Sequence, residues 1–117
     1  MKVFEKNMRM VIQGDVAFTR VYDLEDKNFV PVNAEQGRVV VAHSETGHHH
    51  AFLENDNVEV LDDPDNEFVS WLRVTANSAL KHYRPYDEHE TIEFTPGIYR
   101  INRQREYTPE GFRRVAD

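Results

Sequence analysis

Apolar and polar residues alternate with a period of two along most of the chain, and short β-branched runs bounded by Gly, Pro, Asn and Asp recur from end to end. That is the signature of strands. The pattern predicts strands near Met8–Ile12, Val16–Val21, Gly37–His43, His48–Glu54, Val58–Leu61, Glu67–Val74, Glu90–Phe94 and Ile98–Arg105. Between Asp23 and Glu35 the signal weakens to an irregular connection, with a short strand at Phe29–Val32 and enough length to cover a pocket. Gly14-Asp15, Asn55-Asp56-Asn57, the acidic run from Asp62 to Asn66, and Pro96-Gly97 supply turn residues that separate one strand from the next. Two segments read as short helices: Thr75–Lys81, and Pro109–Val115, where Thr108 is placed as an N-cap and Gly111 limits the helix to one turn. A sheet with one apolar face must bury it, so about eight short strands with little helix predict an all-β fold, a small barrel or sandwich. We take residues 1–117 as a single β-barrel domain.

Composition narrows the function classes. The 117 residues carry 14 Lys and Arg against 21 Asp and Glu, a net charge of −7. That balance argues against a nucleic-acid partner, because affinity for a phosphate backbone comes mainly from Lys and Arg. No apolar run approaches the ~18 residues that span a bilayer, and the opening MKVFEKNMRM lacks the apolar stretch of a signal peptide, so the expectation is a cytoplasmic protein with no membrane partner. The absence of cysteine excludes disulfides, thiolate zinc sites, iron–sulfur clusters and cysteine nucleophiles.

The histidines supply the candidate chemistry. Four of six lie within eight positions, as His43, His48, His49 and His50, and the other two are His82 and His89. On a strand, residues two apart share a face, so His48 and His50 project together and His49 projects away. Gly47 permits a turn that brings the preceding strand alongside, and uninterrupted alternation puts His43 on the face of Val39 and Val41. Three imidazoles can then converge on one divalent metal ion, Zn, Fe, Mn or Ni, with His82 or His89 completing the set. Glu54, on the face of His48 and His50 but about 13 Å from His50 along an extended strand, is the candidate general base, with Glu45 as a second. Neutral imidazole is the ligand, so binding is expected to weaken as pH falls through the range where free histidine protonates, near about 6.5. The alternative is a polar pocket lined by hydrogen-bonded histidines.

Gly47, His48, His50 and Glu54 resemble part of the first cupin motif, although Gly47 directly abuts His48. The second cupin motif has only an echo in Pro96-Gly97 through Asn102, where Arg100 stands near the position of its histidine. A longer resemblance is to a group of small uncharacterised proteins of bacteria and phages. It rests on Gln13-Gly14-Asp15-Val16, on His43 with Gly47-His48-x-His50, on Leu80-x-His82 and Glu88-His89, and on Pro96-Gly97-x-Tyr99 and Arg103-Gln104-Arg105-Glu106-Tyr107-Thr108-Pro109. This resemblance implies that His82 and His89 belong with the central histidines, and it names no reaction.

Other candidates are weaker. Arg103 and Arg105 share a strand face and can hold a carboxylate or phosphate, or pair with acidic neighbours. The Asp62–Glu67 run has a proline and no glycine, which fits an acidic turn better than a calcium loop. Neither Ser44 nor Ser70 sits in a nucleophile elbow. The reading is therefore a small β-barrel protein with a histidine-rich divalent-metal site, acting on or binding a small-molecule ligand and compatible with a homo-oligomer. The rival is a noncatalytic, phage- or virion-associated interaction module.

Overall fold

The computed structural model describes residues 2–24, 27–42, 49–82, 91–103, 105–108 and 111–114, with residues 82, 105–108 and 111–114 described by backbone alone. Two sheets pack face to face. The first holds β1 (Lys2–Phe4), β10 (Ile92–Phe94), β9 (Ser78–His82), β6 (His50–Leu53) and β5 (Arg38–Ala42) in that order, with β1 and β10 parallel and the other pairs antiparallel. The second is antiparallel throughout, in the order β2 (Met10–Gln13), β3 (Val16–Val21), β11 (Gly97–Arg103), β8 (Val69–Val74), β7 (Val58–Asp62) and β4 (Val30–Pro31). A separate hairpin joins β12 (Arg105–Thr108) to β13 (Gly111–Arg114). The fold is all-β, and of the two expected architectures it is the sandwich.

Alternation explains which faces meet. In β2 and β3 the buried residues Val11, Gln13, Val16 and Phe18 take one face, and in β11 Tyr99 and Ile101 continue it. From the first sheet Phe4, Phe52, Leu80, Ile92 and Phe94 face them. Phe94 is the hub, with its ring centroid 5.0 Å from Phe18, 4.9 Å from Tyr99, 5.5 Å from Phe4 and 5.6 Å from Phe52. Each such aromatic contributes roughly 1.5–3 kcal/mol by leaving water.

Both helical expectations are corrected. Ser78–His82 is a central strand, where Leu80 is fully buried between Phe52 and Ile92. Ladder bonds on two sides outweigh the weak helical preference of so short a segment. Gly111–Arg114 pairs with Arg105–Thr108, so the segment after Pro109 is half of a hairpin. The strand expected to run through Arg105 ends at Arg103. A tight hairpin at Gln36-Gly37, both with positive φ (52° and 75°), links β5 to Glu35, a turn whose twist suits the strands it joins.

A second apolar cluster lies on the outer face of the second sheet. Trp71, Leu61 and Val69 are covered there by Val21, Leu24 and Phe29, and the Arg100 guanidinium lies 5.8 Å from the Trp71 ring. Leu24 and Phe29 of the irregular connection therefore pack on the outside of that sheet, whereas Val32 and Ala34, further along it, pack against the inner core.

Candidate functional site

The site begins with a buried amide. Val11 and Gln13 point inward from β2, and Gly14, at φ 57°, turns the chain at once into β3, so Gln13 is the last inward side chain of its strand. It is 1% exposed. A primary amide held from water needs partners for both ends. Its Nε2 donates to the Leu80 carbonyl at 3.2 Å, across the sandwich, which turns Oε1 toward Nδ1 of His50 at 2.7 Å. With the amide so assigned, Oε1 can only accept, and His50 Nδ1–H donates to it. In the neutral imidazole the lone pair then resides on Nε2.

His50 opens β6 and is 5% exposed. Its register neighbours are Ala42 on one side and His82 on the other. Directly opposed residues of antiparallel strands share a face, so the backbone places His82 on the face of His50, Phe52 and Leu80. A bulge between Val40 and Ala42 adds Val41 to the β5 side of the ladder, and Val41 and Ala42 are both buried in succession.

Arg103 ends the same row on the second sheet, paired with Val16 as Gln13 is. Its Nη1 donates to the Val41 carbonyl at 3.0 Å and to Ser70 Oγ at 2.8 Å, and its Nη2 to the Glu67 carbonyl at 2.8 Å. Ser70 in turn donates to Asp62 at 2.6 Å. Burial lowers the Arg103 pKa from its ordinary value, and the Asp62 carboxylate partly offsets this. Both Gln13 and Arg103 thus cross from the second sheet to backbone carbonyls of the first at one end of the sandwich.

The acidic turn borders this end. Asp63 accepts the Asp65 amide at 2.8 Å and the Lys27 ammonium at 3.1 Å. The amide bond, with help from Lys27 and the Trp71 indole, holds the Asp63 carboxyl below its usual pKa against the opposing effect of burial. These bonds make the run a self-satisfied turn.

Of the residues singled out from sequence, the structure sets His50 beside the register position of His82. His43, His48 and His89, with Glu45, lie outside the described residues. His49 is half-buried just before β6. Glu54 is exposed beyond the far end of β6 from His50, its amide donating to the Gly37 carbonyl at 2.8 Å. Among the described residues no three His, Asp or Glu side chains gather as a metal-binding group. Arg103, expected to act with Arg105, is occupied by carbonyls and a hydroxyl. From sequence Gln13 stood only in the Gln13-Gly14-Asp15-Val16 resemblance, one residue beyond the expected strand Met8–Ile12, whereas β2 includes it.

Residues 12–104 match a family described as "Domain of unknown function (DUF8820)". The chain belongs to this family. The match spans Gln13, Arg103 and all five candidate histidine ligands. Neither the curated proteins nor the solved structures gave a match to the chain. Among the described residues, no helix is long and apolar enough to cross a membrane.

Proposed function

We propose that this DUF8820 member binds a divalent metal ion at the Gln13 end of the sandwich, with His50 as its anchoring ligand. The observation that carries the reading is the Gln13–His50 hydrogen bond. A ligating imidazole characteristically donates its other nitrogen to an oxygen acceptor, which sets its tautomer and aims the ring. His82 shares the register position, and His43, His48 and His89 belong to the chain segments that flank β6, β5 and β9 or β10. These are the further ligands of the proposal. Bound there, the ion supplies Lewis acidity to a small-molecule ligand.

A buried histidine that merely satisfies Gln13 would make the same bond, so metal content decides. Untagged protein, loaded with zinc and dialysed, is expected to retain about one equivalent by elemental analysis. His50→Ala should lose it, His82→Ala should weaken it, and Gln13→Leu should lower affinity by about 10–100-fold. Retention unchanged in His50→Ala, or no retention in the parent protein, overturns the reading.

A further inference from the structure

The opposite end of the sandwich carries a different feature, independent of the histidines. The chain turns between β1 and β2 through Lys6, Asn7, Met8 and Arg9, and the Met8 amide donates to the Glu5 carbonyl at 3.1 Å. This turn lies against Arg20, Val21 and Tyr22, and a groove of about 330 Å³ opens between the two segments. The groove is lined by three cations and no carboxylate, in a chain whose net charge is −7.

The three cations play different parts. Arg20 is half-buried and packed against two rings: its guanidinium carbon sits 5.1 Å from the Phe4 ring and 4.9 Å from the Tyr99 ring. Its nitrogens donate to Thr95 Oγ1 at 2.9 Å and to the Pro96 and Glu5 carbonyls at 3.3 and 3.4 Å, all neutral acceptors. Lys6 and Arg9 are exposed, and among the described residues none of the three cations pairs with a carboxylate. Three adjacent cations without an ion-pair partner among the described residues can take an outside anion. Tyr22 is fully exposed on the same wall, and Met8 is half-buried beside it. An aromatic ring facing water next to cations suits a ligand that joins a flat ring to an anionic group.

We propose that this groove binds a phosphorylated aromatic small molecule of the mononucleotide class. Lys6 and Arg9 hold the phosphate, Arg20 adds a third positive charge behind it, and the base stacks on Tyr22. The volume falls at the small end of ligand pockets, about 300–1,000 Å³, in keeping with a single nucleotide.

The probe is adenosine monophosphate, followed by amide chemical shifts, with adenosine and inorganic phosphate as controls. Saturable shifts at residues 6–9 and 20–22 are expected, with a Kd of about 1 mM or tighter. The exposed charge reversals Lys6→Glu and Arg9→Glu together should weaken binding by about tenfold or more. Tyr22→Ala should weaken the nucleotide by a few-fold and leave phosphate unaffected, whereas His50→Ala should change neither. No saturable shift at these residues, phosphate binding as tightly as the nucleotide, or a Kd indifferent to the charge reversals each overturns the proposal. Since His50 lies at the other end, failure here leaves the metal reading standing, and the converse also holds.

Discussion

The two ends of the sandwich bury polar side chains by opposite strategies. At the Arg20 end a permanently charged guanidinium is clamped between Phe4 and Tyr99, with Thr95 Oγ1 and two carbonyls as acceptors. Tyr99 itself donates to the Thr95 carbonyl and is fully buried. At the Gln13 end the buried groups are an amide and an imidazole joined across the sheets, with Arg103 beside them on the same row. The first arrangement is held by ring packing and by neutral acceptors. The second places a titratable ring in the core, where an apolar pair would have filled the space without any need for hydrogen bonds, and that is a feature for which stability is a poor explanation.

The comparison can be broken at the Arg20 end first. Tyr99→Ala removes a fully buried ring, its contacts with Phe4 and Phe94, and one face of the Arg20 clamp. It should destabilise the protein by about 3–5 kcal/mol in urea unfolding. A loss below about 1 kcal/mol would mean that the Tyr99 contacts with Phe4 and Phe94 contribute little to the core. Gly97 belongs to the same clamp, since a Cβ there would stand 2.7 Å from Arg20 Nη1.

A smaller effect sharpens the contrast at the other end. Gln13→Leu leaves the buried His50 Nδ1–H without this acceptor and should destabilise by about 1–3 kcal/mol. Combining it with His50→Leu should recover much of that loss, because replacing both partners by apolar groups can be nearly neutral. Additive losses in the double variant, read from the same unfolding curves, would show that the two side chains act independently and that their hydrogen bond carries no coupling.

The smallest effect concerns the acidic turn bordering the Gln13 end. Asp63 has a folded-state pKa below its unfolded one, so its contribution is present above the ordinary carboxylate range and is lost as pH falls through the lowered folded value. Asp63→Asn should therefore lower the thermal midpoint at neutral pH, and the gap to the parent protein should close in acid. A gap that persists unchanged at low pH would show that the Asp63 charge is not what the turn uses.

Much of this architecture was legible from the residues. Val16–Val21 is a strand over its full expected length, the expected strand at Val58–Leu61 runs one residue further to Asp62, and that at Gly37–His43 is strand from Arg38 to Ala42, with His43 outside the described residues. Such segments alternate cleanly, and a half-buried strand needs little else to declare itself. The Ser78–His82 strand was not legible, because its place between β6 and β10 is set by partners far away in sequence. His50 was legible as a candidate ligand from the Gly-His-x-His spacing, although its burial was not. Its partner Gln13 was not, since the two are 37 residues apart and meet only because the sheets stack. The parity that assigned His43 to the face of Val39 and Val41 spans the Val40/Ala42 bulge, and His43 itself lies outside the described residues.

The amino-acid order by itself determined the β class, most strand positions, and the turns at Gly14 and Pro96-Gly97, because these follow from the two-residue period and from local backbone preferences. Tertiary structure decided which strands are neighbours, that His50 and His82 share a register, and that Gln13 and Arg103 reach across to the opposite sheet. Those outcomes depend on stacking two twisted sheets and on one extra residue in a ladder, and neither is written in any local stretch of the chain.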